Sequence, residues 1–294
     1  MRPGLWFAAW GLFVASNIPV AGGEERAPVL KGIAAQLIAE TTSVQPGKPF
    51  TVGLKVTHDE TFHTYWKNPG IVGVPFQFAW SLPAGFTAGP IQWPAPEQVM
   101  MFHYPAYGYE RDIVLLTEIF PPADAVPEKV RLDVRASWMA CGSTCHPGSH
   151  TFSLTLPAGK GGGVASPHAA TFAAARKELP APLTGWEVLV ETPKDAATIR
   201  LRLRPLGRGP AIDPATCEFF SSDGQLSSTP AQKWRREADG SLLMTAPRSE
   251  HGPAKQTHLP GVLYCPGGWG PDGGPTHMQV NPAVLATKSL PNTE

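Results

Sequence analysis

The sequence predicts an all-β protein with two immunoglobulin-like β-sandwich domains, joined by a linker that contains one short helix. Three observations support this prediction: apolar residues alternate with polar ones along most segments, 33 prolines and 30 glycines separate those segments, and one stretch has a helical pattern. Alternation with a period of two is typical of half-buried strands, and proline and glycine mark the turns between them. Fibronectin-like modules and carbohydrate-binding jelly rolls give the same pattern, so the fold class alone does not identify a function.

The predicted strands follow this alternation. Val52, Leu54 and Val56 are separated by Thr51, Gly53 and Lys55, and the same pattern recurs further along the chain. In order, the predicted strands cover residues 36–40, 50–56, 76–82, 113–119, 130–138, 151–156, 186–191 and 198–203.

The first 23 residues predict a secretory signal peptide. Arg2 gives a positive start, residues 5–15 are apolar or small, and residues 16–23 end in small side chains suited to cleavage. The apolar run is shorter than the roughly 20 residues that a membrane-spanning helix needs. We therefore expect an exported protein, with an N-terminal membrane anchor as the alternative.

The charge balance argues against nucleic acid as a partner. Lysine plus arginine and aspartate plus glutamate each number 24, so no net basic charge is available to bind a polyanion.

A change of composition between residues 157 and 184 predicts the linker. Residues 159–163 are glycine-rich, but they do not join a strand to a helix and therefore do not predict a phosphate-binding loop. Ser166 and Pro167 then begin an alanine-rich helix that ends before Pro180. These signals divide a first domain (30–157) from a linker (158–183) and a second domain (184–285).

The four cysteines fall into a close pair and a distant pair. Cys141 and Cys145 follow a predicted strand, whereas Cys217 and Cys265 lie far apart in the second half. Four cysteines in an oxidising compartment allow three pairings. Closing the short loop stabilises the fold by about 2 kcal/mol, against about 4 kcal/mol for the long one. The short pair is therefore the better candidate for redox chemistry, and a protonated His146 beside it would lower a thiol pKa.

Two alternatives for the close pair stay open at this point. Cys141 and Cys145 can form a static disulfide that pins a loop. Together with His146 and His150 they also offer soft ligands to copper or zinc, although thiolate ligands are vulnerable in an oxidising compartment.

Four motifs occur in a fixed order in the first domain. They are 61–70 (TFHTYWKNPG), 89–96 (GPIQWPAP), 107–110 (YGYE), and Trp138 with Cys141, Cys145 and Pro147. Together they resemble the N-terminal periplasmic domain of the thiol:disulfide interchange protein DsbD and of ScsB-type proteins. Residues 219–232 and 259–263 resemble, more weakly, the second sandwich of ScsB-like proteins.

The resemblance implies a periplasmic protein-disulfide reductase component that relays electrons through Cys141 and Cys145 without a cofactor. It implies an electron donor of the membrane-embedded DsbD/CcdA type, which we expect to be a separate protein because this chain ends at Glu294. It implies periplasmic thiol proteins as acceptors, and neither a small-molecule substrate nor a metal is expected.

The resemblance also assigns neighbours to the redox pair. It places His63 and Tyr65 on a neighbouring strand that faces the cysteines, with His146 beside them. It further implies an aromatic cap loop over the pair, formed by Phe102, His103, Tyr104, Tyr107 and Tyr109.

Cys217 and Cys265 lie outside these motifs, and we predict a structural disulfide between them. A different class of function remains as the alternative: a periplasmic binding or adaptor module, related to copper, in which the close pair is static. There a partner or a copper ion would bind the face that carries His103, His146 and the aromatic residues. No nucleophile elbow or metalloprotease motif supports a hydrolase.

Overall fold

The computed structural model describes residues 29–159, 164–191, 197–207, 209–229, 231–253 and 257–284. The predicted signal peptide lies outside these residues. Within the described ranges, no helix has both the length and the apolar character needed to cross a membrane.

The first half of the chain is built from strands. They are β1 (Val29–Leu30), β2 (Ile33–Ala39), β3 (Phe50–His58), β4 (Thr64–Gly70), β5 (Gln77–Ser81), β6 (Thr87–Ala88), β7 (Glu97–Met101), β8 (Tyr104–Tyr109), β9 (Ile113–Phe120), β10 (Lys129–Cys141) and β11 (Cys145–Pro157). They form three sheets, ordered β1-β2-β3-β9-β6, β11-β10-β5 and β4-β8-β7. The all-β prediction is confirmed.

The core of this half lies between the five-stranded sheet and β10. Val52, Leu54 and Val56 of β3 are buried on one side, and Val130 and Leu132 belong to the facing set on β10. Because successive side chains of a strand point to opposite faces, this burial follows directly from the alternation in the sequence.

The linker packs against the first sandwich. Its helix, α1 (Ala169–Lys177), buries Phe172 against Ile38 and Leu116 on the outer face of the five-stranded sheet. Gly53 lies beneath it, and a Cβ atom at that glycine would be 3.4 Å from the Phe172 ring. The predicted linker helix therefore covers a sheet face.

The second half forms two further sheets. Its elements are β12 (Ala181–Pro182), β13 (Trp186–Val190), β14 (Thr198–Pro205), a 3₁₀ turn (Pro214–Thr216), β15 (Glu218–Ser221), β16 (Lys233–Arg236), β17 (Leu242–Pro247), β18 (Gly261–Tyr264) and β19 (His277–Val280). The sheet orders are β12-β19-β18-β15 and β13-β14-β17-β16. Leu201, Phe219 and Leu263 are among the residues of its own buried core.

The two halves share a core and enclose a cavity. Phe220 and Val262 of the second half are buried in the hydrophobic cluster of the first. A cavity of about 790 Å³ lies beside this contact, with Arg111, Glu218 and His277 in its lining. Burial raises the pKa of Glu218 to about 7. The cavity therefore places an ionisable carboxyl group between the two halves.

The distant cysteines lie side by side in the second half. Cys217 precedes β15 and Cys265 follows β18, and the pairing of Glu218 with Tyr264 sets the two cysteines opposite each other. The disulfide predicted from the sequence is not formed in the structure, where both residues are buried free thiols. Burial raises the pKa of Cys217, and the neighbouring Cys265 raises it further. The disulfide stays a prediction, and the strand register supports it.

We expect oxidation to join Cys217 to Cys265 in the exported protein. Closing this long loop restricts the unfolded chain, so the disulfide should add up to about 4 kcal/mol to the free energy of unfolding. Denaturant unfolding of the oxidised protein, compared with a Cys217→Ala/Cys265→Ala double variant, measures that difference. Peptide mass analysis that finds both thiols free in the periplasmic protein would contradict the prediction.

We expect Glu218→Gln to change the pH dependence of stability. The folded-state pKa of about 7 lies above the ordinary value of 4.5, so the stability that the protonated carboxyl supports is complete below pH 4.5 and is lost as the pH rises through 7. The glutamine keeps the neutral form, so the free energy of unfolding should rise by about 3 kcal/mol at pH 8 and not change at pH 4.5. Denaturant unfolding at both pH values tests this, with Glu250→Gln at an exposed position as the matched control.

Candidate functional site

Cys141 and Cys145 form a disulfide across the end of the β10–β11 hairpin. They are the last pair of a continuous antiparallel register, with Cα atoms 4.1 Å apart. The turn between them is closed by the amide of Gly142, which donates to the Thr144 carbonyl at 3.0 Å. The hairpin thus holds the two sulfur atoms at its tip.

The two cysteines differ in exposure. Cys141 is completely buried, whereas Cys145 is half-buried. An incoming thiol can therefore reach the sulfur of Cys145 more readily than that of Cys141.

His63, directly before β4, and Tyr65 of β4 form one wall of the site. His63 pairs with Cys141 through two backbone hydrogen bonds: its amide donates to the Cys141 carbonyl at 2.8 Å and its carbonyl accepts from the Cys141 amide at 3.0 Å. The Nε2 atom of His63 lies 3.2 Å from the Tyr65 hydroxyl, and the Tyr65 ring packs in the same buried cluster as Cys141. The structure therefore places both residues next to the disulfide.

This wall contributes no charge at neutral pH. Burial lowers the pKa of His63, which keeps its imidazole neutral. Burial also raises the pKa of Tyr65 to about 12, so its hydroxyl stays protonated. The two side chains shape an uncharged pocket around Cys141.

A β-hairpin made of β7 and β8 covers the disulfide; we call it the cap hairpin. Val99 of β7 and Ala106 of β8 are buried in the cluster that contains Cys141, and the half-buried Met101 and Cys145 pack against it. The resemblance implies an aromatic cover, but the cap residues in this cluster, Val99, Met101 and Ala106, are not aromatic. Alternation along β8 turns Ala106 inward and Tyr107 outward.

The five aromatic and histidine residues predicted for the cap lie in three different places. Phe102, His103 and Tyr104 form the exposed tip of the cap hairpin. Tyr107 is buried against Phe220 of the second half, with ring centroids 4.9 Å apart. Tyr109 is buried in the first core and donates its hydroxyl proton to the Pro94 carbonyl at 2.8 Å. The prediction that Tyr107 covers the cysteines is therefore not supported.

Phe102 occupies an unfavourable backbone conformation. Its φ angle is 58°, in the left-handed region, and its side chain is 60% exposed. A bulky residue costs about 1 kcal/mol there, and glycine or asparagine is the usual choice at a two-residue hairpin turn. Folding gives no reason for a phenylalanine at this tip.

His146 lies beside the disulfide in sequence but is engaged elsewhere. Its Nε2 atom is 2.8 Å from the Thr144 hydroxyl, and its ring lies 6.0 Å from the Phe62 ring. Alternation along β11 turns it to the opposite face from Cys145. The geometry does not support a role in lowering a thiol pKa. In the part of the chain that the structure describes, no three histidine, cysteine or acidic side chains cluster as a metal site would require.

Sequence patterns missed the inner surface of the cap hairpin. Val99, Met101 and Ala106 belong to no motif, and their short alternating stretch ends at a tight turn. A second missed residue is Gly73, with a φ angle of 101°; a Cβ atom there would be 2.3 Å from the Tyr65 ring. This glycine lets the loop after β4 close over the tyrosine.

Comparison with known proteins agrees with this geometry. Residues 34–157 match the family model described as thiol:disulfide interchange protein DsbD, N-terminal. The chain also aligns over 90% of its length with 98% of the N-terminal periplasmic domain of ScsB from Proteus mirabilis, with a TM-score of 0.64 and 17% identity. At this identity the alignment shows a common fold.

Two other results add nothing further. The conserved domain protein from Bacillus anthracis aligns over 92% of both chains, but its TM-score of 0.27 and 8% identity support no conclusion. No curated protein matches the sequence. The family match confirms the resemblance drawn from the four motifs: residues 34–157 match the DsbD N-terminal domain family.

Proposed function

We propose that this protein is a periplasmic thiol-disulfide exchange protein that relays electrons through Cys141 and Cys145. One observation carries the proposal: a disulfide at a hairpin tip has one buried and one accessible cysteine beneath an apolar cap. A structural staple needs no accessible sulfur and gains little from so short a loop. A redox pair needs both access for its partner and protection from other oxidants.

The unequal exposure suggests the order of bond exchange. A partner thiolate attacks the sulfur of Cys145, a new bond forms between the two sulfurs, and Cys141 leaves with the electron pair and takes up a proton. A second partner thiolate then attacks the partner's own sulfur in this mixed disulfide and releases Cys145. The partner becomes a disulfide and this chain gains two electrons.

The reverse sequence passes the electrons on. The Cys145 thiolate attacks an acceptor disulfide and forms a mixed disulfide, which Cys141 resolves by attacking Cys145. The match of residues 34–157 to the DsbD N-terminal domain family supports a membrane-embedded donor of the DsbD/CcdA type and periplasmic thiol proteins as acceptors. The reaction uses no group other than the sulfurs of the two proteins.

The surface around the disulfide suits a protein partner. Ile71 and Val74 of the loop after β4, and Met100, Phe102 and Tyr104 of the cap hairpin, are exposed large hydrophobic residues. Aromatic and methionine side chains are enriched at protein interfaces. The strained conformation of Phe102 is consistent with a side chain that is kept for contact with a partner.

We expect Cys141–Cys145 to open in a redox titration at a potential well above about −300 mV, because structural disulfides lie below that value. Thiol trapping followed by peptide mass analysis reports this pair separately from Cys217 and Cys265. Resistance of Cys141–Cys145 to reduction down to that potential would favour the static binding module instead.

We expect the two single-cysteine variants to behave differently with reduced thioredoxin as the protein probe. Cys141→Ser leaves the accessible Cys145 and, when activated as a mixed disulfide with a small thiol, should react rapidly. Cys145→Ser leaves the buried Cys141 and should react at least about tenfold more slowly, since burial limits thiolate access. Stopped-flow tryptophan fluorescence measures both rates. Equal rates for the two variants would contradict the proposed order of attack.

We expect Phe102→Gly to slow exchange with a protein partner without lowering the stability of the fold. Glycine tolerates the left-handed conformation, so the free energy of unfolding should stay the same or rise by about 1 kcal/mol. Exchange with thioredoxin should become slower, while reduction by glutathione should not. Leu206→Gly, which removes an exposed side chain from the second half, serves as the control. A Phe102→Gly variant that reacts with thioredoxin at the wild-type rate would exclude Phe102 from the contact.

A further inference from the structure

The cap hairpin contacts the second half of the chain as well as the disulfide. Along β8, neighbouring residues face in opposite directions. Ala106 faces the cluster around Cys141, and Tyr107 faces Phe220. The residue that contacts the second half is therefore the direct chain neighbour of a residue that covers the disulfide.

The Ser228 hydroxyl joins the cap hairpin to the end of β4. It donates to the Pro105 carbonyl at 2.9 Å and accepts from the Ile71 amide at 3.2 Å. Ser228 is buried, with 7% of its surface exposed, so water competes poorly for these hydrogen bonds. One side chain of the second half thus connects both strands that flank the disulfide.

Gly70 makes this approach possible. Its φ angle is 88°, and a Cβ atom at this position would lie 2.4 Å from the Ser228 hydroxyl oxygen. Next to it, the Asn68 side-chain amide donates to the Ser221 carbonyl at 2.5 Å. The NPG end of the TFHTYWKNPG motif is therefore part of the contact between the two halves.

Phe220 holds the other side of the hairpin. It is 1% exposed and makes edge contacts with Tyr107, at 4.9 Å between centroids, and with Trp66, at 6.4 Å. Edge-to-face aromatic pairs at these distances are favourable beyond their buried area. The aromatic contact of Tyr107 and the Ser228 hydrogen bond to Pro105 hold β8 in place, while the tip of the hairpin remains exposed.

We propose that the second half holds the cap hairpin closed over Cys141–Cys145 through Ser228 and Phe220, and so sets how readily the disulfide becomes accessible. Ser228 and Phe220 are positioning residues, because they act through the hairpin and do not touch the sulfur atoms. The inference rests on the proposed function, since control of access matters only for a pair that exchanges.

The test measures access directly in the full chain without residues 1–23. Excess dithiothreitol reduces the protein, samples are quenched with acid, and peptide mass analysis follows the opening of Cys141–Cys145. Ser228→Ala should open about five- to tenfold faster, the factor that corresponds to loss of a hydrogen bond of ordinary strength. The reduction potential in glutathione buffers should stay unchanged, because access alters rates and leaves the equilibrium alone.

Two matched control variants distinguish loss of the contacts made by Ser228 and Phe220 from a general loss of stability. Ser249→Ala removes a hydroxyl that accepts from the nearby His251 amide. Phe219→Leu truncates the residue next to Phe220 in sequence. The Phe219 ring belongs to the buried core of the second half. We expect Phe220→Leu to accelerate opening and Phe219→Leu and Ser249→Ala to leave it at the wild-type rate.

Two results would overturn the inference: wild-type opening rates in both Ser228→Ala and Phe220→Leu, or equal acceleration in Phe219→Leu and Phe220→Leu. Failure of the proposed function looks different. In that case the wild-type protein does not exchange with thioredoxin, while the dithiothreitol rates still report whether the cap is held.

Discussion

The antiparallel register of β10 and β11 is the constraint on which the site depends. It runs without a break from Lys129–Pro157 to Cys141–Cys145, so the pairing of the strand bodies decides which residues meet at the tip. Trp138 and Gly148 help to hold this register. They are a cross-strand pair in which a Cβ atom on the glycine would lie 2.7 Å from the indole ring. A shift of the β10–β11 register by one residue would place a residue other than Gly148 opposite Trp138. It would also turn the buried face of each strand outward and separate the cysteines.

Around this hairpin the site is assembled from elements distant in sequence. His63 extends the backbone pairing of Cys141, Tyr65 fills the space beside it, and the cap hairpin closes the third side. The result is an uncharged, largely apolar pocket around a disulfide. Such surroundings keep water and small ions away from the buried Cys141, and they leave selectivity to the surface near the more exposed Cys145.

The sequence is sufficient to predict eight of the strands, among them β3 and β10, and the pair of cysteines, because both depend on local patterns; it does not predict β4, β7, β8 or the strands after β14. Alternation along β3 and β10 reports a buried face directly, and close spacing of Cys141 and Cys145 suits a hairpin tip. The inner side of the cap hairpin could not be predicted in this way. Gly108 interrupts the pattern of β8, yet it is required there because a Cβ atom would lie 2.1 Å from the Thr64 carbonyl oxygen. A glycine that permits close approach of two strands resembles a turn signal in the sequence. The contacts of Tyr107 and Tyr109 cannot be predicted in this way either, because their partners, Phe220 and Pro94, are distant in sequence or belong to no strand.

The position of Phe220 has a consequence for how the molecule can be divided. Its ring fills a space between Trp66 and Tyr107 within the hydrophobic cluster of the first half. A fragment that ends after β11 would leave these two aromatic side chains facing water, and it would also lack the helix that covers Ile38 and Leu116. The limits of the family motif and the limits of the cooperative folding unit are therefore different. Selection on the second half would then act partly through the solubility and foldability of the first.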